Sequence, residues 1–338
     1  MLRLSVLDQS PIAHGLDARE ALHQTVQVAQ TVERLGFHRL WVSEHHDTAS
    51  LAGSTPEILM AHLAANTRQI RIGSGGVMLP HYSAYKVAEN FRMLEALHPG
   101  RIDVGLGRAP GGMPTSTRAL QEGKIKEINY SQQVEDLVGY LTDTPPAHAR
   151  FGGLVATPVI DTVPQIWLLG SSHGSAQIAA EQGTAFMFAH FINGDGGSDA
   201  VRLYKRQFKA SALNARPQSS VAIFVICADT DAEANRIASS LDLALILLAS
   251  GQRSTGTPTI EMAQSYPYTD YEQAWVRENR KRMIVGGPLT VKQKIEELAL
   301  AYDTNEVMIT TMAAEFEHRL RSFELVAQAF GLPQGLDS

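Results

Sequence analysis

A single cysteine, Cys227, leaves no partner for an internal disulfide, and its place in the apolar run 221–228 suits a buried packing thiol. No hydrophobic run is long enough to cross a bilayer: the longest, 241–249, is broken by Asp242. The chain opens Met1-Leu-Arg-Leu-Ser-Val and soon meets Asp8, so no signal peptide is expected and a cytoplasmic location is. Charge is modest at 19% and the net balance is -6, which argues against nucleic acid as a partner. No His-x-x-x-His pair offers metal ligands from one helix face. No Gly-x-Gly-x-x-Gly follows the first strand; Asp8-Gln-Ser-Pro11 stands there instead, which disfavours a nucleotide-binding open sheet.

What is present is an apolar share of 44% and a regular alternation of short strand-like and longer helix-like runs. Strands are expected at 2–7, 39–43, 70–73, 102–105, 165–169, 186–190, 221–228 and 306–310. Amphipathic segments lie between them at 18–35, 57–66, 86–96, 175–182, 231–249 and 291–301. Eight strands with intervening helices predict a (β/α)8 TIM barrel, because parallel neighbours need a crossover; a doubly wound open sheet is the alternative. No repeat or linker divides the 338 residues, so one domain over 1–338 is expected. Two connections exceed what a minimal barrel needs. Residues 109–164 carry a predicted helix near 126–141, and residues 250–288 form a candidate lid ending in a charged helix at 271–283.

Three strands run into small residues: Ile70-Arg-Ile-Gly-Ser-Gly-Gly-Val-Met-Leu-Pro-His81, Arg101-Ile-Asp-Val-Gly-Leu-Gly-Arg108 and Gln165-Ile-Trp-Leu-Leu-Gly-Ser-Ser172. Glycine weakens a strand interior, so such clusters mark sharp bends or close approach to a ligand. Ordinary turns account for any one of the three more readily than for all of them.

These blocks, with Leu4-Ser-Val-Leu-Asp-Gln-Ser-Pro11, Gly36-Phe-His-Arg-Leu-Trp-Val-Ser-Glu-His-His46 and Pro99-Gly-Arg-Ile-Asp-Val-Gly-Leu-Gly-Arg-Ala-Pro110, resemble the bacterial luciferase-like flavin monooxygenases, in particular their single-chain subgroup. The match covers most of the first 190 residues in order and is weaker around Val285-Gly-Gly-Pro288. It implies a barrel holding reduced FMN at the C-terminal strand ends. Ser74, Gly75 and Gly76 fall where the family often has a non-prolyl cis peptide against the flavin; an ordinary trans turn is the alternative. Arg108 falls where relatives hold the flavin phosphate, and a guanidinium fork suits that group, though a surface ion pair would also use it. Gly170, Ser171, Ser172, Gly174 and Ser175 open the next helix, where free N–H groups and hydroxyls can receive an anion or serve as plain N-caps. A second phosphate seat is conceivable at Gly286-Gly287, with Arg280 and Arg282 nearby. His45 matches the histidine beside the flavin's reactive edge, a general base or hydrogen-bond partner, against the alternative of a packed structural histidine. Adjacent strand residues face opposite ways, so Glu44-His45-His46 argues against a shared metal. Asp8, Gln9, Met78, His81, Phe188 and His190 are the candidate substrate-pocket residues.

The resemblance implies a two-component monooxygenase: a separate flavin reductase supplies reduced FMN, and O2 oxidises a small organic substrate by epoxidation, hydroxylation or Baeyer–Villiger insertion. The glycine-rich Ala109-Pro-Gly-Gly-Met113 differs from the luminous members and puts light emission in doubt. Two other readings stay open: deazaflavin-dependent hydride transfer, using a wider basic groove at Arg277, Arg280, Lys281 and Arg282, and a non-catalytic flavin-binding barrel. A homodimer is implied through the helices 57–66 and 86–96, where Ala61, Ala64 and Ala65 permit close contact.

Overall fold

The computed structural model describes residues 2–122, 129–144, 151–252 and 256–333. In chain order it contains β1 (Arg3–Asp8), α1 (Ala18–Arg34), β2 (Arg39–Val42), α2 (Pro56–Ala65), β3 (Arg71–Ser74), β4 (Val77–Met78), α3 (Ala84–Leu97) and β5 (Ile102–Gly107). There follow α4 (Pro114–Leu120), α5 (Tyr130–Thr142), β6 (Gln165–Gly170), α6 (His173–Gln182), β7 (Ala185–Ala189), α7 (Gly197–Gln207) and β8 (Ser219–Cys227). The chain ends with α8 (Asp231–Ala249), α9 (Ile260–Ser265), α10 (Asp270–Arg280), β9 (Met283–Gly286), α11 (Pro288–Ala301), β10 (Glu306–Thr310) and α12 (Phe316–Phe330).

All pairings between these strands are parallel, in the order β10-β1-β2-β3-β5-β6-β7-β8, and β10 also pairs β8. The sheet therefore closes on itself, so the TIM barrel is correct and the open sheet is excluded. All eight expected strands are staves of this barrel. Two short strands were not anticipated. β4 continues β3 beyond Gly75-Gly76 and pairs β5, while β9 pairs the upper half of β8, whose lower half pairs β10. The charged helix expected over 271–283 thus stops at Arg280, and the apolar Met283-Ile-Val-Gly286 becomes strand. Helices α4, α7, α9 and α12 are further additions. Part of the helix expected at 126–141, and residues 253–255 of the candidate lid, lie outside the described residues.

The strand period of two separates two cores. Outward residues such as Val6, Leu40, Ile72, Val104, Ile166 and Phe186 meet the helices. Inward residues Leu7, Trp41, Trp167, Met187, Ala222 and Met308 fill the barrel. Helix α1 shows how the outer layer fits: Ala21, Thr25, Val28, Ala29 and Val32 form one buried stripe, and Asp17 caps its start by accepting from the Glu20 N–H. Beneath the indoles a charged layer closes the N-terminal end, where Arg39 meets Asp103 at 2.7 Å and Glu306 at 2.8 Å. The Trp41 Nε1–H donates to Asp103 at 2.9 Å.

Candidate active site

Parallel strands put all their C-terminal ends on one face, the face that carries chemistry in barrels of this kind. Gln9, Glu44-His45-His46, Gly75-Gly76, Arg108, Gly170 to Ser172 and His190 all follow strands there. The Gly75-Gly76 peptide is cis. A Cβ on Gly76 would stand 2.6 Å from the Gly105 carbonyl oxygen and 2.7 Å from Leu169 Cδ1; one on Gly75 would stand 2.7 Å from Leu7 Cδ1. One on Gly105 would run into the Ser74 carbonyl. The strand ends pack so closely, by backbone at Gly105 and against Leu7, Trp41 and Leu169 at the glycine pair, that none of the three positions could carry a side chain. Ser74 is fully buried: its hydroxyl donates to Gly105 O at 2.8 Å and accepts from Gly105 N at 3.0 Å. That hydroxyl joins two strands rather than facing the mouth.

At the end of β2 the backbone N–H of His45 donates to Gly53 O (2.8 Å) and that of His46 to Gly111 O (2.8 Å). The His45 ring is half-buried and has no hydrogen-bond partner among the described residues. Burial, then the neighbouring His46, push its pKa down to about 4, so it is a neutral imidazole at pH 7. Glu44 beside it is wholly buried. Its carboxylate accepts from His46 Nε2 (2.7 Å), the Tyr82 hydroxyl (2.7 Å) and the Met78 N–H (2.9 Å).

Across the mouth, β5 and β6 are neighbours in register, so Arg108 and the start of α6 lie at adjacent strand ends. The Arg108 guanidinium is exposed and has no ion-pair partner among the described residues. Helix α6 begins with Ser172 as N-cap, accepting from the Ser175 N–H at 3.4 Å, and has no acidic residue in its first turn. Ser171 is half-buried and Gly174 exposed; a Cβ on Gly170 would collide with Ser175. The other glycine-led helix is already filled. Asp231 accepts from Gly287 N at 2.6 Å and from the Thr290 hydroxyl at 3.3 Å. Arg280 there is bound to Asp242 at 2.7 Å, and Arg282 donates to the Phe191 and Ile192 carbonyls. Among the described residues, Arg108 has no ion-pair partner and the first turn of α6 no acidic residue, whereas at the second seat Gly287 N, Arg280 and Arg282 are already engaged.

The remaining expected pocket residues divide. Gln9 and Met78 are half-buried at the mouth. His81 is buried, held by Pro110 O (2.7 Å) and Gln121 (3.3 Å). Asp8 is locked at the barrel rim: Arg319 of α12 donates to it at 2.6 Å and Ser10 N at 2.6 Å. Phe188 packs on the helix side of β7 against Phe186 and Tyr302, while Met187 points inward. His190 is bound to the Tyr302 hydroxyl at 2.7 Å. Tyr82, a further plausible pocket-lining residue in the sequence, is tied instead to Glu44, whose own role the sequence did not suggest, and Phe191 went unremarked. Phe191 is half-buried and touches both the barrel interior and a second apolar cluster of Phe224, Ile260, Met312 and Ala313 beneath α8. The only sequence signal for Glu44 was its place between a strand and two histidines. A cavity of about 620 Å³ lies at the opposite, N-terminal end, lined by Arg3, Ser219 and Glu306. Among the described residues there is no acidic, His or Cys group able to hold a metal, and no helix long and apolar enough to cross a membrane.

Residues 2–305 match the model of the luciferase-like monooxygenase family. The chain is 52% identical to the uncharacterized protein YwcH of Bacillus subtilis strain 168, over 98% of this chain and 99% of the relative. It is 39% identical to that organism's N-acetyl-S-alkylcysteine monooxygenase, over 97% and 98% respectively. The solved structure of apo-MsnO8 superposes with a TM-score of 0.91 at 34% identity, covering 99% of this chain and all of that one (100%). With the fold, the glycine-bounded mouth and these similarities in hand, the chain belongs to the luciferase-like monooxygenase family, whose members use flavin cofactors.

Proposed function

We propose that this chain is the oxygenating component of a two-component system that takes reduced FMN from a separate reductase and oxidises a small organic substrate with O2. The observation that carries the proposal is an exposed Arg108, with no ion-pair partner among the described residues, at the strand end next to the acid-free N-terminus of α6 and at the same end of the barrel as Gly75-Gly76 and a neutral His45. The donor set suits FMN. Arg108 and the first amides of α6 would hold the phosphate, a guanidinium fork and helix N–H groups both matching that anion. Gly75, Gly76 and Gly105 carry no side chain and could take none without a clash, which suits a floor that a flat ring system would lie against. Reduced FMN, when bound, supplies the electrons with which O2 oxidises the substrate.

The protein's own share is positioning and proton handling. His45, neutral and unpartnered, can donate to or accept from a ligand oxygen without first losing a proton. Phe191, Leu51 and Leu169, half-buried apolar groups at the strand ends, would keep water from the reacting atoms. The candidate lid, 250–288, gives way to strand β9 at Met283, so on this reading its described lid portion is 256–282: Thr257 N donates to Ile12 O at 2.7 Å, tying the insertion to the loop after β1. Thioethers are the first substrates to offer, given the relative named for an N-acetyl-S-alkylcysteine.

The test is anaerobic calorimetric titration with reduced FMN, oxidised FMN and the deazaflavin coenzyme. The expected result is tightest binding of reduced FMN, weakened roughly 10- to 100-fold in Arg108→Ala through loss of a charged hydrogen bond. Absence of FMN binding would overturn the proposal, and preference for deazaflavin would replace it with hydride transfer.

A further inference from the structure

We infer that Glu44 is a positioning residue that locks the His45 turn to the strand leaving Gly75-Gly76. This rests on the reading of His45 and that glycine pair as the flavin site. A wholly buried carboxylate is costly unless its partners compensate, and no Lys or Arg among the described residues supplies the compensation: its three donors there are an imidazole, a phenol and a backbone amide. The three come from separate pieces of the site. His46 follows His45 on the β2 exit, Met78 ends the short strand after the cis glycines, and Tyr82 precedes α3. One carboxylate thereby spans both walls of the mouth.

The chemistry fixes the direction of each bond. A carboxylate only accepts, so His46 donates to it from Nε2. That bond and the His46 N–H to Gly111 O at 2.8 Å hold His46 at its side chain and its backbone, and the His45 N–H to Gly53 O at 2.8 Å pins the residue before it. Two neighbouring groups face the same carboxylate. Glu57, on α2, has its carboxyl pushed up by burial and by the Glu44 charge. The Tyr82 phenol is held well above its ordinary value by burial and by its bond to Glu44. His81 stands edge-on to His46 at 6.1 Å and is itself held by Pro110 O. Small displacements of a catalytic group cost rate steeply, by roughly 100-fold for about 1 Å, so a residue that never touches substrate can still govern turnover.

The experiment compares wild type, Glu44→Gln and Tyr82→Phe. Glutamine keeps the shape but presents an NH2 where one donor now points, so the three bonds cannot all survive. In the flavin-free protein, ¹⁵N-edited spectra of the imidazoles should show a sheltered His46 Nε2–H in wild type and Tyr82→Phe. In Glu44→Gln that signal should vanish and the His45 resonances should move. With reduced FMN and an N-acetyl-S-alkylcysteine as the thioether substrate, kcat should fall roughly tenfold or more in Glu44→Gln, less in Tyr82→Phe, with KM for the thioether changed less than about twofold. Unmoved histidine resonances, or unchanged kcat, would overturn the inference. If Glu44→Gln does not fold, Tyr82→Phe decides: a wild-type kcat there counts against the hub, a reduced kcat at constant KM supports it. Altered histidine spectra in a protein that binds no flavin would keep the positioning role and sink the flavin reading instead.

Discussion

His45 shows how burial turns an ordinary side chain into a prepared one. Its imidazole is held neutral because the folded site disfavours the charge, with a pKa near 4 against 6.5 for a free histidine. The sign for stability follows from proton counts. Between about pH 6.5 and 4 the unfolded chain carries a proton on this ring that the folded chain does not, so stability is lost as pH falls through that window. The loss attributable to His45 is at most about 3 kcal/mol. His45→Gln should remove that part of the pH dependence, flattening the change in urea midpoint between pH 7 and pH 5 relative to wild type. Parallel curves for the two proteins would show that the ring is not shielded as described. Ser74 and Phe188 teach the complementary point, since each sits at a strand end as expected but spends its side chain on the fold.

At the scale of elements, the strands carry two kinds of burden. Their outward faces hold the helices by apolar contact, and their inward faces at the N-terminal end hold a charge network. Arg39 reaches Asp103, Glu306 and Gln165; Arg71 reaches Asp103 at 2.6 Å. Burial alone would push the Asp103 carboxyl up, but Arg39 and Arg71 hold it below the usual carboxylate range. Such a network is exposed to single substitutions because removing one charge strands the others. Asp103→Asn should therefore destabilise the barrel by about 3–5 kcal/mol in urea unfolding, far beyond an ordinary surface change. A loss below about 1 kcal/mol would mean that the arginines find other partners. The unanticipated strand β9 belongs here too: a four-residue apolar run after a charged helix reads equally well as a last helical turn, and only pairing with β8 decides it.

For the molecule as a whole, closure of the barrel leaves α2 and α3 on the outside with large apolar groups facing solvent: Ile58, Met93 and Leu97 are 72%, 52% and 61% exposed. We propose that this face meets a second copy. Light scattering at micromolar concentration should give twice the chain mass, and Ile58→Lys with Leu97→Lys should give the single-chain mass, because two buried charges would oppose the contact. A wild-type monomer would remove the proposal.

The eight staves, most helices between them and the face on which small residues gather were legible because each is written locally, in periods of two and 3.6 and in glycines that follow strands. So were His45 and Arg108 as residues at strand ends. What the chain could not reveal alone is which of those side chains remain free. Arg319 captures Asp8 from 311 residues away, Asp231 fills the glycine-led helix start at Gly287, and Glu44 gathers three donors from separate segments. These partners meet only when the sheet closes. Local pattern thus determined where the site could be, and tertiary packing decided which polar groups were consumed by the fold and which were left for a ligand.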